Sequence, residues 1–386
     1  MATRKKKKPS PTETPDAVLR APAEVEYAKQ LEALFQAERD QAPASWKLSP
    51  RSVLQYIVGG EPLPLKVGKA TEEVPITRKF FGDDALVERA IVTLASERAL
   101  LLVGEPGTGK SWLSEHLAAA VAGDSTLVIQ GTAGTTEDQI KYSWNVARVI
   151  AEGPTPDNLI PSPTLVAMQR GGLLRFEEIT RCVPDVQDAL VSILSDKAIA
   201  IPELPGANRR EAKAGFNVIA TANSRDQGVN DLSAALKRRF NYVHIPIVAD
   251  KKTEMAIVEQ RSKELLARYA IPATVERPVI ELLTTVFREI RSGKTAQGVS
   301  IKSPSTTLST AEAIGVALDA ALHARFFGDG EVGPAAIARQ LVGSVVKEDL
   351  GDLKVLKEYV SLVAQKRGKE DPEWKAFADE AQRALR

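Results

Sequence analysis

Apolar residues follow two different patterns along this chain of 386 residues, and the change from one to the other divides it. Between residues 99 and 246, continuous apolar runs alternate with segments whose apolar positions recur every three or four residues. The runs are ALLLV (99–103), TLVIQ (126–130), GLLRFE (172–177), FNVIATA (216–222) and YVHIP (242–246). Runs without polar alternation predict strands buried on both faces, so the fold class is α/β, with a five-stranded parallel sheet covered by helices. The segment AIAIPELPGANRREAK, between the third and fourth runs, predicts a β-hairpin about Pro205-Gly206. Beyond Asp250 the strand pattern stops. Val279, Leu283, Val286, Phe287 and Ile290 then mark one helical face, and residues 251–386 read as an all-helical domain.

Upstream, Val25, Ala28, Leu31 and Leu34 give a helix from about Glu24, and SPRSVLQYIV gives a second, capped by Ser49 or Ser52 and stopped at Gly59-Gly60. GGEPLPLKVGKATEEVP reads as a proline-containing linker, followed by a helix with Leu86, Ala90, Ile91, Leu94 and Ala95 on one face. The organisation expected is a disordered basic tail (1–20), an N-terminal helical accessory segment (21–68), an α/β core (69–250) and the helical domain (251–386), without internal repeats.

Composition narrows the classes. At 44% hydrophobic and 26% charged residues the chain is an ordinary globular one, and a formal net charge of +1 provides no global field for nucleic acid or an anionic membrane. TRKKKKP near the start is a local basic run, read as a solubilising tail. One cysteine, Cys182, excludes a disulfide framework and a cysteine-based zinc site. No apolar run is long enough to span a bilayer and no signal-peptide core follows the lysines, so a cytoplasmic location is expected.

Chemistry enters with GEPGTGKS, residues Gly104, Glu105, Pro106, Gly107, Thr108, Gly109, Lys110 and Ser111, which fits G-x-x-x-x-G-K-[ST] and lies between the strand ALLLV and the helix SWLSEHLAAAVA. Glycines let the backbone wrap phosphate oxygens, the helix N-terminus adds partial positive charge, Lys110 reaches the β and γ phosphates, and Ser111 can ligate Mg²⁺. The loop predicts a nucleoside triphosphate site. The strand GLLRFE then acquires a role, because in a P-loop sheet the carboxyl end of a neighbouring strand faces the phosphates. Glu177 is placed to hold the Mg²⁺ shell and Glu178 to polarise the attacking water. Since Mg²⁺ keeps several waters, the longer Glu177 can act through one, and Glu177→Asp is expected to preserve hydrolysis. Asn223, at the tip of the fourth strand, is placed to hydrogen-bond that water or the γ-phosphate. Arg238 and Arg239, at a helix end before the fifth strand, could reach a neighbouring subunit's γ-phosphate, or could simply complement the helix dipole.

Other polar residues carry less. His116, His244 and His323 have no shared metal spacing and Cys182 reads as a buried structural thiol. The helices expected at 352–366 and 372–385 alternate charges as solvated helices do.

The order of strand and P-loop, acid pair, strand-tip Asn and RRF resembles the AAA+ ATPases, and within them the MoxR family and its YehL-like branch. RFEEITRCVPDVQDALVSILSDK, with Arg181 and Gln187, and the hairpin before FNVIATAN carry the closer likeness, and an insert in the second helix would fall within residues 133–165. The resemblance implies an AAA+ P-loop domain followed by an all-helical lid, Walker A at Gly104 to Ser111, with Trp112 beside it, Walker B at Glu177 and Glu178, sensor 1 at Asn223, and an arginine finger at Arg239 with Arg238 second. ATP and Mg²⁺ are the implied cofactors. It further implies a homo-oligomer, commonly a hexamer, that remodels or activates a client protein in a chaperone-like manner with a von Willebrand factor A-domain partner. Two departures stand out: Glu177 replaces the usual Asp, and Ser305 or Thr307 stands where the family carries a sensor 2 arginine. The alternatives are a motor acting on nucleic acid, which the near-neutral charge disfavours, and a slow ATP-binding switch or scaffold.

Overall fold

The computed structural model describes residues 19–386, apart from Glu97, Pro205, Ala207, residues 225–229, residues 305–307, Asp329 and residues 348–349. The basic tail therefore falls outside the described residues, except for Leu19 and Arg20, whose guanidinium pairs with Glu115.

Helices α1 (Ala23–Glu26), α2 (Ala28–Ala37) and α3 (Pro50–Val58) open the fold. The last begins where Ser49 Oγ accepts from the Ser52 amide and Pro50 fills the first turn, a position that needs no N–H. The linker read from GGEPLPLKVGKATEEVP is instead an antiparallel hairpin, β1 (Gly60–Val67) with β2 (Ala70–Ile76), turning at Gly68-Lys69. Its alternation of Leu63, Leu65 and Val67 with polar or proline positions is a period-two signal. Pro62 and Pro64 obscured it, yet proline is tolerated in a two-stranded ribbon whose outer edge has no ladder partner. Leu65, Val74 and Ile76 are the residues this hairpin buries.

The chain continues through α4 (Asp84–Leu94), capped by Asp83, into β3 (Ala99–Gly104) and α5 (Lys110–Ala122). Next come β4 (Val128–Gln130), α6 (Glu137–Ile140), and an insert in which β5 (Tyr142–Trp144) and β6 (Leu159–Pro161) pair antiparallel about α7 (Val146–Glu152). Then α8 (Pro163–Arg170), β7 (Leu173–Glu177) and α9 (Pro184–Asp196) lead to the expected hairpin, β8 (Ala198–Ala200) with β9 (Arg209–Glu211). The core closes with β10 (Asn217–Asn223), α10 (Ala234–Lys237) and β11 (Phe240–Ile245). Five strands form one parallel sheet in the order β11-β3-β10-β7-β4. In β3, Leu100 and Leu102 face a core with α3, α4 and α5, while Leu101 faces the opposite core with Phe176, Leu190 and Ile193. Both faces being apolar is why these strands read as unbroken runs.

Residues beyond Asp250 form α11 (Lys251–Arg268), α12 (Arg277–Ser292), α13 (Thr310–Phe327), α14 (Pro334–Val345), α15 (Leu350–Tyr359), α16 (Gln365–Arg367) and α17 (Pro372–Ala384), with a π-turn at Val360–Ala364 before α16. The two final helical stretches, expected to be solvated, bury Leu356, Tyr359, Val363, Phe377 and Ala381 in the core built on Leu283, Phe287 and Ile290. Their charges occupy one face, and the apolar stripe between them is what the charge pattern hid.

A fully buried carboxylate joins three of these helices. Glu254 on α11 accepts from Arg288 Nη1 (2.9 Å) and from Arg291 Nη1 and Nη2 (3.0 and 2.8 Å) on α12, and from Thr310 Oγ1 (2.9 Å) at the start of α13. Glu254→Ala would leave the partly buried Arg291 without its counter-ion. A loss of about 3–5 kcal/mol in stability is expected, measured by denaturant unfolding; a change near zero would show that solvent reaches the pair.

Candidate nucleotide site

The loop Gly104–Ser111 joins β3 to α5 and lines a cleft of about 480 Å³ between the α/β core and the helical domain. Gly107 and Gly109 adopt positive φ (76° and 85°), as required for successive amides to turn inward. Gly107 also has no room for a side chain: a Cβ there would stand 2.2 Å from the Cβ of Ser309, the N-cap of α13. The helical domain therefore rests directly on the phosphate loop. Lys110 Nζ donates to the carbonyls of Gly104 (3.0 Å) and Glu105 (2.8 Å), which keeps the ammonium within the loop.

Glu177 and Glu178 diverge at the end of β7. Glu177 is buried behind Ser111: its Oε2 accepts from Ser111 Oγ (2.7 Å) and Thr221 Oγ1 (2.8 Å), its Oε1 from Ser114 Oγ (2.5 Å) and Arg175 Nη2 (2.9 Å). Glu178 turns into the left-handed region (φ 54°, ψ 45°), a conformation that a non-glycine residue holds only when its surroundings enforce it. Its amide donates to Thr221 Oγ1 (2.9 Å), and the resulting turn aims its carboxylate into the cleft, 2.5 Å from Arg181 Nε. Asn223 lies beside Gly104 in the parallel register of β10 and β3 and lines the same cleft.

One chain thus gathers Gly104 to Trp112, Glu177, Glu178 and Asn223. It does not gather Arg238 and Arg239. Phe240 pairs with Ala99 and Ile245 with Gly104, so the arginines just before Phe240 sit at the opposite end of the sheet, roughly 20 Å from the loop at strand rise. Arg239 there donates to the Ala235 carbonyl (2.6 Å) and the Ser195 hydroxyl. Ser305 and Thr307, where the lid arginine was expected to be missing, lie outside the described residues. The helical domain does bring Arg261 of α11 to the cleft, with its guanidinium 3.9 Å from the centroid of the Trp112 ring.

Sequence reasoning missed Thr221, Ser114, Arg175 and Arg261. Thr221 and Arg175 had a usable signal, each two positions before a predicted site residue on one strand, and Ser114 lies one helical turn after Ser111; Arg261 meets the site only through tertiary packing. A further group lies behind Trp112, whose Nε1 donates to the Lys79 carbonyl (2.9 Å) and whose ring is 4.3 Å from that of buried His116. Tyr56 and His116 Nδ1 share a 2.9 Å hydrogen bond, and Lys79 Nζ sits 5.0 and 4.2 Å from the Tyr27 and Tyr56 rings.

Burial pushes the Lys79 ammonium down to about 7, Glu264 opposing only in part. Between that value and the roughly 10.4 of an unfolded lysine, the unfolded chain binds a proton that the folded one does not. Stability is therefore expected to rise from about pH 7 to about pH 10 and to be lost as pH falls back toward 7. Lys79→Met should flatten that profile, removing a dependence on the order of 3 kcal/mol in melts across this range; an unchanged profile would show that Lys79 keeps its charge.

Residues 99–240 match the family model "AAA domain (dynein-related subfamily)", and residues 252–383 match "YehL-like AAA+ ATPase C-terminal domain". YehL of Escherichia coli (strain K12) is 42% identical over 341 residues, covering 88% of this chain and 91% of that protein. The gas vesicle ATPase GvpN2 of Halobacterium salinarum is 27% identical over 48% of this chain and 58% of its own length. Among solved structures, NtrX from Brucella abortus in complex with ATP superposes with a TM-score of 0.44 at 14% identity, over 80% of this chain and 69% of that one.

Proposed function

This chain belongs to the YehL-like AAA+ ATPases, and from that premise we propose that it is a Mg²⁺-dependent ATPase whose sites are completed between subunits and whose turnover remodels or activates a client protein. The observation that carries the ATPase chemistry is the convergence of Lys110, Ser111, Glu178 and Asn223 on one cleft under the helical domain.

In this reading the loop amides and Lys110 bind the phosphates. Glu178, held in its left-handed turn by Thr221, orients the attacking water and takes its proton, while Asn223 donates to the oxygen on which charge develops. The residues fit a hard divalent cation: Ser111 Oγ and Glu177 Oε2 form an all-oxygen pair at 2.7 Å. Among the described residues no cluster of three or more His, Cys, Asp or Glu is present, in keeping with Mg²⁺ that relies on substrate phosphates for its remaining ligands. Bound there, it would neutralise phosphate charge.

The separation of Arg239 from the loop of its own chain supports action in trans, within a homo-oligomer and most simply a hexameric ring. The direct seat of Ser309 on Gly107 supports coupling of phosphate occupancy to movement of the helical domain, and so to the hairpin β8–β9 and the insert around α7. Val146 and Ile150, exposed one turn apart on α7, suit contact with a protein partner better than with a phosphate backbone. A von Willebrand factor A-domain protein and a separate client are the partners in this reading. No described helix is long and apolar enough to cross a membrane. The test is ATP turnover with simultaneous mass measurement, with and without nucleotide. Turnover by a species that remains monomeric throughout would overturn the shared-site reading, and stimulation by DNA that is lost at high salt would favour a nucleic-acid motor instead.

A further inference from the structure

Arg175 and Glu177 stand two residues apart on β7, so both side chains leave the same face of the sheet, beneath α5. A buried arginine in a parallel strand is costly unless its charge is paired and its nitrogens are hydrogen-bonded. Each of the three Arg175 nitrogens finds an acceptor: Nε donates to Ser114 Oγ (3.1 Å), Nη1 to the Ser125 carbonyl (2.9 Å), and Nη2 to the Ser111 carbonyl (3.2 Å) and Glu177 Oε1 (2.9 Å). Two of these acceptors are main-chain carbonyls of Ser111 and Ser125, so the guanidinium is held whether or not Glu177 is present. The Glu177 carboxylate is thereby split into an inner oxygen facing Arg175 and Ser114 and an outer oxygen facing Ser111 and Thr221.

We propose that Arg175 is a positioning residue that anchors the inner oxygen of Glu177, so that the outer one is presented at Ser111, and that the two residues act as a unit. This rests on the reading of Ser111 and Glu177 as the pair that holds Mg²⁺. The extra methylene of Glu177 is then required: an aspartate on the same backbone cannot reach both the fixed guanidinium and the Ser111 hydroxyl. Glu177→Asp accordingly fails, against the expectation drawn from sequence. Removing the arginine as well frees the shorter carboxylate to face Ser111 alone.

The experiment measures affinity for a fluorescent, non-hydrolysable ATP analogue in Mg²⁺ and in EDTA, on full-length wild type, Arg175→Met, Glu177→Asp and the double variant. The readout is the gain in affinity that Mg²⁺ confers. Each single variant is expected to lose about tenfold or more of that gain, with affinity in EDTA and the melting temperature used as controls for folding. The double variant should recover most of it. Should Arg175→Met fold poorly, the comparison of Glu177→Asp with the double variant, which has no stranded guanidinium, decides the matter. A full gain in Glu177→Asp, equal losses in Mg²⁺ and EDTA, or a double variant as poor as or poorer than Glu177→Asp would each overturn the inference while leaving the metal reading intact. A wild type that gains nothing from Mg²⁺ would overturn that reading, and the inference with it.

Discussion

Glu178→Gln is expected to lower steady-state ATP hydrolysis by about 10²- to 10⁴-fold, the usual worth of a positioned general base, while ATP affinity stays at the wild-type value. The reason lies in the division of labour at the end of β7. Glu177 is buried and saturated by hydrogen bonds, whereas Glu178 is turned into the cleft by a backbone that pays strain for doing so. The amide keeps the shape and one acceptor oxygen but cannot take up a proton, and it loses only the partly exposed pairing with Arg181. Equilibrium binding of ATP beside a turnover assay checks both halves. Retention of more than about a tenth of the wild-type rate would remove Glu178 from the proton-transfer role.

Arg239→Ala is expected to be comparably inactive, by about 10³-fold or more, although its side chain approaches no part of the cleft in its own chain. Mixing the two inactive variants provides the sharper result. An interface that takes Glu178 from one subunit and Arg239 from the next is intact in roughly a quarter of random neighbour pairs, so activity should reappear on mixing and scale with subunit exchange. No recovery in a mixture shown by mass to co-assemble would place the arginine outside the shared site. If Arg238→Ala is inactive and complements Glu178→Gln while Arg239→Ala does not, the finger is the first arginine of the pair.

The sequence was most legible where function and local structure coincide. The phosphate loop could be read because its glycines, lysine and serine are contiguous and flanked by a strand and a helix, and the acid pair because it ends an apolar run. Asn223 followed from its place at a strand tip. The period of β7 places Arg175 on the face of Glu177, but not the Ser111 and Ser125 carbonyls that hold its guanidinium there, because those contacts are made by packing against α5 and the loop after it. The hairpin at residues 60–76 was concealed by prolines, whose general penalty in strands outweighed a short alternation. The final helices illustrate the opposite error: their charges were real, but a helix needs only one stripe to join a core. Thr221, like Arg175, is a residue a closer reading could have found, since strand period places it on the same face as Asn223.

The stacking of Arg261 on Trp112 has one more consequence. Trp112 follows the loop serine directly, its indole N–H is fixed on the Lys79 carbonyl, and one face of its ring is covered by a cation carried on α11. Movement of α11 away from the core would exchange that cation for water without disturbing the N–H bond. The wavelength and intensity of this indole's emission are thus expected to follow the seating of the helical domain, and with Trp46, Trp144 and Trp374 replaced the chain would carry its own unlabelled optical gauge of the step that would turn hydrolysis into mechanical work.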